Sequence, residues 1–277
     1  IAFGARGGSP ISNAFLAASL QVVLRTFKWE IMSLKEALGL KQEEMLSLIG
    51  AGGKTTTLFS LAHELWEEGG KVLVTTTTKI FKPAKPHVHK LFLAQDLAPL
   101  LNQLAQIKEP LIISAGSGLD DAGKLVGLPP EWFDSLKKKS GVDWILVEAD
   151  GAAMKPFKVP AEHEPVVPEV CTVAVWVMGI KALGQPLAPA SVHRAERAAA
   201  LLGVELGTPL AENLILRLVE NPLGCFKGIP PKSRKVALIN QADSAEEINK
   251  ASALGHELIK RGIERVVITS YLDNDAV

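Results

Sequence analysis

The feature that most constrains this chain is a glycine-rich turn between an apolar run and an amphipathic stretch. Residues 45–49 read as a short buried strand, residues 50–57 read GAGGKTTT, and apolar positions recur at helical spacing over residues 55–68. A strand, a turn and a helix in this order bring main-chain N–H groups and the positive end of a helix dipole to one point, where an anion binds. The segment therefore predicts a phosphate-binding loop and a nucleotide-handling protein.

The polar residues of this loop have predicted parts in holding a nucleotide and Mg²⁺. Lys54 places a catalytic cation on the terminal phosphates, and the Thr55 hydroxyl is a predicted Mg²⁺ ligand. Leu48 stands where the common phosphate loop has its first glycine, so this loop is the shorter form G-x-x-G-K-T-T, similar to that of Mur-type ligases. This departure leaves the class of nucleotide open. The predicted nucleotide contacts of the loop are Gly50, Ala51, Gly52, Gly53, Lys54, Thr55 and Thr56.

Composition and charge exclude several other classes of function. The chain has 277 residues, of which 47% are hydrophobic, which suffices for one large α/β domain and is too apolar for a disordered protein. Thirty basic and thirty acidic residues cancel, so no overall field attracts nucleic acid or an anionic membrane, and we expect neither as a partner. The two cysteines, Cys171 and Cys225, show no metal spacing and no disulfide framework, which is typical of a reducing cytoplasm.

The first 31 residues differ from the rest of the chain. Residues 11–24 are apolar, but polar residues interrupt them, and no small-residue cleavage site of a secretory signal follows. No run reaches the roughly 18 apolar residues that a membrane span needs. Met32 directly precedes a predicted helix start at Ser33. We therefore expect residues 1–31 to be a leader outside the fold and residues 32–277 to be the nucleotide-binding domain.

After Met32, strand-like apolar runs alternate with helical stretches, which is typical of a parallel sheet covered on both faces. We predict an α/β fold with a doubly wound, mainly parallel sheet of the P-loop NTPase type and a small helical lobe at about residues 190–232. In such a sheet, ligands bind beyond the carboxyl ends of the strands. The predicted strands are 45–49, 71–75, 111–114, 144–148, 172–178, 235–239 and 265–269. The predicted helices are 55–68, 96–106, 130–138, 195–202, 209–220 and 245–260.

Carboxylates and hydroxyls follow two of the predicted strands. The strand 144–148 ends in Glu148 and continues to Asp150. A nucleotide hydrolase needs a carboxylate in this place to hold Mg²⁺ and to orient the attacking water. We predict that Glu148 is a metal ligand and that both acids are catalytic. The strand 71–75 runs into four threonines, which partly reflects strand propensity. We expect a nucleotide or metal contact from at least one of Thr76, Thr77 and Thr78, and assign Thr77.

The segment Asn240-Gln241-Ala242-Asp243 follows the strand 235–239 and resembles the N-K-x-D motif with which GTPases read guanine. A carboxylate at Asp243 accepts hydrogen bonds from the ring N–H and the exocyclic amine of guanine, which adenine does not offer in that arrangement. Ser270 ends the last strand, where GTPases place a loop that contacts the base. Gln241 replaces the motif's lysine. We predict Asn240, Asp243 and Ser270 as nucleotide contacts and favour GTP over ATP, while an ordinary strand-to-helix turn stays the alternative.

Two basic or mixed loops remain. Residues 155–165 read KPFKVPAEHEP and follow the predicted metal carboxylates directly. Proline-stiffened loops often position functional side chains, so Glu162 is a predicted catalytic residue. Arg194, at the start of the predicted helical lobe, is also a predicted catalytic residue, one that reaches a phosphate. Residues 79–90 contain four lysines and no acid; a solvated loop is favoured there over an anion-binding lid.

Taken together, GAGGKTTT, KVLVTTTTKIF, ILVEADGA, KVPAEHEPVVP, SVHRAE and ALINQAD resemble the YqeC family, described as accessory proteins of selenium-dependent hydroxylases. The resemblance spans about residues 45–270. It implies a cytoplasmic P-loop protein that takes part in the maturation of molybdenum hydroxylases that require selenium. The positions that match are Lys54, Thr55, the threonine run, Glu148, Asp150, Gly151, Glu162, His163, His193 and Arg194.

The sequence thus predicts a nucleotide-binding accessory protein with Mg²⁺-dependent hydrolysis of GTP or ATP, coupled to the delivery of selenium or the molybdenum cofactor. The expected partners are the nucleotide and a selenium-dependent molybdenum hydroxylase or its cofactor. Two alternatives stay open. One is a nucleotide-gated binding protein with little turnover. The other is a Mur-like ligase or kinase that acts on a small molecule.

Overall fold

A computed structural model describes residues 19–23, as a strand without its side chains, and residues 32–271. Helices flank a central, wholly parallel sheet, so the predicted α/β class is confirmed. The described helices are α1 (Leu34–Ala37), α2 (Lys54–Glu67), α3 (Leu97–Ala105), α4 (Phe133–Lys139), α5 (Ala195–Leu202), α6 (Glu212–Glu220) and α7 (Ala245–Lys260), with 3₁₀ turns at Pro130–Trp132 and Ile180–Ala182.

The described strands, in chain order, are β1 (Ser19–Val23), β2 (Met45–Gly50), β3 (Val72–Thr76), β4 (Lys79–Ile80), β5 (Lys90–Leu93), β6 (Ile112–Gly116), β7 (Gly118–Leu119), β8 (Leu125–Val126), β9 (Trp144–Glu148), β10 (Phe157–Lys158), β11 (Val173–Gly179), β12 (Val192–His193), β13 (Arg234–Asn240) and β14 (Arg265–Thr269). Nine of them form the central sheet in the order β1-β14-β13-β11-β2-β9-β3-β6-β5. The glycine-rich turn therefore leaves the middle of the sheet, between β11 and β9.

Alternation of side chains along the central strands explains why both faces are covered. Val175 and Val177 of β11 pack into a cluster with α1 and α2. Trp176, between them, points to the other face and packs into a cluster with α5, α6 and α7. A third cluster joins α3 and α4 to the strands on the β5 side. Strands that are buried on both faces read as continuous apolar runs, as these do.

Helix α2 follows from its apolar spacing and its glycines. Leu58, Leu61 and Leu65 are buried on one side, at the spacing that the sequence predicts. The helix ends before Gly69, whose φ of 90° is a left-handed conformation that suits glycine. The seven predicted strands and six predicted helices are all present, with ends shifted by up to three residues. The first third of the predicted helix 130–138 is a 3₁₀ turn at Pro130–Trp132.

Some elements were not predicted. Residues 1–31 were expected outside the fold, whereas the structure pairs Ser19–Val23 with β14 along the edge of the sheet; the rest of that range lies outside the described residues. β5 forms the opposite edge next to β6. The remaining short strands make a β4-β8-β7 sheet and a β10-β12 pair. Strands of two to five residues at edges carry too little periodicity to be recognised.

The range predicted as a helical lobe contains α5 and α6, which pack against each other and against α7. Cys225, in the segment after α6, is buried in the same cluster, and burial raises the pKa of its thiol. Burial likewise raises the pKa of the Cys171 thiol. Among the described residues, no helix combines the length and the apolar character needed to cross a bilayer.

Candidate functional site

The carboxyl ends of the central strands bring most of the predicted site residues to one edge of the sheet. β2 ends at Gly50 and hydrogen bonds to β9, which ends at Glu148. β3, with the threonine run, pairs with the other side of β9. On the opposite side of β2, the ends of β11, β13 and β14 lie in sequence. The glycine-rich loop of residues 50–57, which the sequence predicts to bind phosphate and which we call the phosphate loop, is therefore flanked by the acids on one side and by the Asn240 segment on the other.

The backbone of the loop requires glycine at positions 52 and 53. Gly52 and Gly53 have φ angles of 77° and 118°, which side-chain-bearing residues rarely adopt. A Cβ atom on Gly52 would lie 2.1 Å from the Gly179 nitrogen, and one on Gly53 would lie 2.3 Å from Asn240 Nδ2. Gly53 is the N-cap of α2 and has no side chain to cap it. Within the described residues, no side chain accepts a hydrogen bond from the main-chain N–H groups of the first turn of this helix.

The lysine of the loop is buried beside the end of β9. Lys54 is 3% exposed, and its Nζ atom donates to the Gly50 carbonyl oxygen at 2.7 Å. The same ammonium lies 3.2 Å from Asp150 Oδ1 and 3.6 Å from Glu148 Oε1. Because a buried charge needs partners, these two carboxylates explain how the ammonium tolerates its position.

A hydroxyl and a carboxylate lie together as a pair of oxygen donors. Thr55 Oγ1 donates to Glu148 Oε2 over 2.9 Å. Two ligands in neighbouring positions of an octahedral Mg²⁺ shell are about 3.0 Å apart, so this spacing fits the ion. In the part of the chain that the structure describes, no three His, Cys, Asp or Glu side chains are placed to hold a metal. Mg²⁺ here would take its other ligands from phosphate oxygens and water, as this ion usually does.

The ionisation of the Glu148 carboxyl depends on its burial and on these neighbouring groups. Burial raises the pKa of the Glu148 carboxyl, and the nearby Asp150 charge adds to the rise, while Lys54 and the Thr55 hydroxyl oppose it. A cation close to the carboxylate lowers its pKa. We therefore expect the charged form of Glu148 to be favoured when a metal ion lies beside it.

The threonine run is tied mainly to main-chain oxygens. Thr76 Oγ1 donates to the Glu148 carbonyl at 2.6 Å, and Thr77 Oγ1 donates to the Val166 carbonyl at 2.6 Å. The Thr78 hydroxyl lies 3.3 Å from Thr76 Oγ1. These bonds fix the end of β3 against the end of β9, which places the run beside the acids, with Thr77 bonded to the loop that follows them.

A chain of alternating charges runs from the phosphate loop towards α5. Asp150 Oδ2 accepts from the Gly50 N–H at 3.1 Å and lies 3.0 Å from Lys158 Nζ. Lys158 is 2% exposed and donates to Glu164 Oε2 at 2.7 Å. Glu164 in turn accepts two hydrogen bonds from the Arg194 guanidinium, at 2.7 and 3.1 Å. The predicted residues Asp150 and Arg194 are thus connected through two residues that the sequence did not single out.

The predicted residue Glu162 does not join this chain. Its side chain is exposed, and its carbonyl oxygen accepts a hydrogen bond from Lys227 Nζ. Lys227 also donates to the carbonyls of Ala161 and Glu164, both at 2.8 Å, which fixes the loop. The acid that reaches the interior is Glu164, two residues further on. A proline on each side of the AEHE segment was the available signal, but it does not tell which of its two acids turns inwards.

The Asn240 segment is bonded to the phosphate loop. Asn240 Nδ2 donates to the Gly52 carbonyl at 2.8 Å, and Asn240 Oδ1 accepts from Thr269 Oγ1 at 3.0 Å. Asp243 Oδ1 accepts from Ser270 Oγ at 2.7 Å, and Asp243 Oδ2 accepts from Lys181, which lies just after the end of β11. Although partial burial opposes it, these donors lower the pKa of the Asp243 carboxyl, so it is a carboxylate at neutral pH.

Comparisons with known proteins agree with these segments. The family profile described as "YqeC protein" matches residues 46–196, which is more than half of the chain. The chain is also 33% identical over 237 residues to "Uncharacterized protein YqeC" of Escherichia coli (strain K12), covering 86% of this chain and 91% of that protein. The chain belongs to the YqeC family.

The part that matches the YqeC profile contains one side of the site. It includes the phosphate loop, the β9 acids and the whole charge chain as far as Arg194. Asn240, Asp243 and Ser270 lie beyond the matched residues, in the part that the structure places on the other side of the loop.

A separate groove of about 740 Å³ lies at the opposite, amino-terminal edge of the sheet. Met45, Ile145 and Thr172, at or next to the starts of β2, β9 and β11, line it. Its charged rim contains both acids and lysines, including Glu43 and Lys137. Because the groove is at the far end of β2 from the phosphate loop, the geometry assigns it no part in the site.

The acid stability of this YqeC protein should depend on Glu164. Although burial opposes ionisation, hydrogen bonds and charges from Arg194 and Lys158 lower the pKa of Glu164 from 4.5 to about 2. A carboxyl with a depressed pKa stabilises the fold above its unfolded pKa, and that contribution is lost as the pH falls from 4.5 towards about 2.

We therefore expect the free energy of unfolding to fall over this pH range, and the fall to be shallower in Glu164→Gln, which cannot take up the proton. Urea unfolding at a series of pH values measures both slopes. The same acid dependence in the wild type and in the variant would contradict the assigned role of Glu164.

Proposed function

We propose that this member of the YqeC family binds a purine nucleotide with Mg²⁺ at the loop between β2 and α2 and hydrolyses its terminal phosphate. The observation that carries the proposal is the position of Lys54. Its buried ammonium joins a glycine loop at a helix N-terminus to two carboxylates at the end of the neighbouring strand. Cation, unpaired amides and metal-binding oxygens then converge where a polyphosphate tail would lie.

Each residue has a stated part in this proposal. The first-turn amides of α2 and the Lys54 ammonium bind the phosphate oxygens and stabilise the charge that develops on them. Thr55 and Glu148 supply oxygen ligands for Mg²⁺, which neutralises phosphate charge when bound. Asp150 Oδ1 is buried and, among the described residues, lies 3.2 Å from the Lys54 ammonium without a hydrogen bond to it. That oxygen is available to accept a hydrogen bond from an attacking water, while Oδ2 holds the loop through the Gly50 N–H.

The base is proposed to be guanine. The Asn240 side chain holds the Gly52 carbonyl, so the Asp243 segment and the phosphate loop keep a fixed relation, as one nucleotide spanning both would require. Asp243 is an ionised acceptor that Ser270 and a lysine orient from two sides. An ionised acceptor suits the two N–H donors on one edge of guanine better than the corresponding edge of adenine.

The cellular role proposed here comes from the family resemblance. The YqeC family is described as accessory proteins of selenium-dependent hydroxylases. We therefore propose that nucleotide turnover accompanies the delivery of selenium or of the molybdenum cofactor to such an enzyme. We propose such a hydroxylase, or its cofactor, as the partner, in the cytoplasm.

A nucleotide-gated binding protein with little turnover is the second candidate, and the charge chain favours it. Asp150 contacts both the loop and Lys158, and the chain ends on Arg194 at the start of α5. A phosphate group that draws Lys54 away from Asp150 would therefore change contacts that reach the helical lobe. In that case the nucleotide would alter affinity for a partner through loop and lobe position.

The deciding experiment is titration of the purified protein with GTP and ATP, with and without Mg²⁺, by calorimetry, followed by measurement of phosphate release. We expect Mg²⁺-dependent binding and release of inorganic phosphate, with GTP preferred. Binding without release, unchanged when a selenium-dependent hydroxylase is added, would favour the gated protein. No binding of either nucleotide would refute both candidates.

Glu148→Gln should weaken the binding of Mg²⁺. The amide keeps the size of the side chain but removes the charge next to Thr55, so we expect about 10- to 100-fold more Mg²⁺ to be needed for half-maximal phosphate release. Titration of release against Mg²⁺ measures this shift. Glu44→Gln is the matched control, because Glu44 pairs with Arg234 at the far edge of the sheet. Equal Mg²⁺ requirements in the wild type and in Glu148→Gln would exclude Glu148 as a ligand.

A further inference from the structure

A lysine from outside the N-K-x-D-like segment stands at the proposed base site. β11 and β13 are parallel neighbours, and Gly179 is paired with Asn240, so the chain leaves both strands side by side. Lys181 comes two residues after Gly179, and its Nζ atom donates to Asp243 Oδ2 at 2.5 Å. Ser270 Oγ donates to the other carboxylate oxygen. The carboxylate thus has a lysine on one side and a hydroxyl on the other.

The residue that occupies the lysine position of the motif points elsewhere. Gln241 has a φ angle of 63°, and its Oε1 atom is buried without a hydrogen bond from any described residue. A Cβ atom on Gly179 would lie 2.0 Å from this oxygen, so the Gln241 amide is packed against the end of β11. Gln241 therefore does not extend beside Asp243, whereas Lys181 does.

Stability alone gives little reason for the Lys181 pair. The Lys181 side chain is 49% exposed, while that of Asp243 is 13% exposed. An ion pair with a half-exposed partner contributes little to the stability of a fold, since water screens it. A carboxylate has about four lone-pair positions, so Asp243 can keep both of these partners and still accept two further hydrogen bonds.

We propose that Lys181 is a specificity-determining residue of the base site and donates a hydrogen bond to the 6-oxo oxygen of guanine, while Asp243 accepts from the ring N1–H and the 2-amino group. The inference rests on the proposed nucleotide function and adds the residue that reads the six-position. Adenine carries an amino group there, which would meet the ammonium as donor against donor. The lysine absent from the linear motif is, on this account, supplied by the neighbouring strand.

The test compares the binding of GTP, ITP and ATP, as non-hydrolysable analogues with Mg²⁺, to the wild type and to Lys181→Met by calorimetry. GTP and ITP share the 6-oxo group, so we expect both to bind Lys181→Met about tenfold more weakly, with ATP changed less than about threefold. Lys181→Arg keeps the cation and should stay within about threefold of the wild type for GTP. Lys250→Met is the control, since Lys250 is equally exposed, at 49%, and also pairs with a carboxylate, that of Glu246 on the surface of α7.

Three results would overturn the inference. Wild-type affinity for GTP in Lys181→Met would mean that the pair has no part in recognition. Tighter GTP binding in that variant would mean that Lys181 blocks the base. Equal affinities of the wild type for GTP, ITP and ATP, unaltered in Asp243→Asn, would remove the base site altogether. In that last case the phosphate site is tested separately, by measuring whether Lys54→Ala weakens the binding of any triphosphate.

Discussion

Lys54→Ala is expected to weaken nucleotide binding about 100-fold or more, so that binding disappears from a standard calorimetric titration. The substitution removes the only ammonium that the structure, in its described part, places inside the glycine loop, and with it a charge-assisted contact to phosphate. GTP and ATP should be affected alike, because the lysine acts on the phosphates and not on the base. Calorimetry with both nucleotides and Mg²⁺ makes the comparison.

The control for this prediction is a second buried lysine that touches the same carboxylate. Lys158 Nζ lies 3.0 Å from Asp150 Oδ2, as close as Lys54 Nζ is to Oδ1. It is not part of the loop and touches it only through Asp150, so Lys158→Met should change the affinity of the folded protein by about fivefold or less, which is the weak end of the coupling between residues that share a partner. Wild-type binding by Lys54→Ala would refute the phosphate site. Equal loss in both variants would show that disturbing Asp150, and not losing a phosphate contact, is the cause.

The second large effect is on folding. Lys158→Met is expected to lower the free energy of unfolding by about 3 kcal/mol, because breaking a buried ion pair leaves carboxylates without their counter-charge. Asp150 and Glu164 would each lose the ammonium that now lies between them, although Lys54 and Arg194 remain. For a chain of this size such a loss lowers the Tm by about 6–12 °C.

Thermal and urea unfolding of the wild type, Lys158→Met and Lys138→Met measure the effect. Lys138 also pairs with a carboxylate, Asp134, but both side chains are more than half exposed, so its loss should change stability by less than about 0.5 kcal/mol. If Lys158→Met is as stable as Lys138→Met, the charge chain does not hold the site together.

The fold was predictable because its pattern is local and repeated. Each long strand of the sheet is an apolar run, and each long helix has apolar residues at helical spacing. The local pattern and the tertiary packing therefore favour the same secondary structure. The strands that escaped prediction are short or at the edges. β1 is the clearest case, since its pairing with β14 joins residues more than 240 apart in the sequence, and nothing within residues 19–23 indicates that contact.

The placement of the candidate site residues was predictable only in part. Lys54, Thr55, Glu148 and Asp150 follow from their order along the chain, because a loop and a strand end fix where they lie. Glu164 and Lys158 do not, because their burial depends on how the loop 155–165 folds back against β12. Lys181 was equally hidden, since no motif includes it, and only the pairing of β11 with β13 brings it to Asp243.

The charge chain, taken together with Lys54 and Glu148 at its loop end, has three cations, Lys54, Lys158 and Arg194, and three carboxylates, Glu148, Asp150 and Glu164. In the fully ionised state it is electroneutral. A bare polyphosphate would bring a surplus of negative charge into this balanced interior, whereas one already complexed with a divalent ion would bring much less. The balance of charges that stabilises the fold would therefore also make the protein selective for the metal-loaded form of its ligand.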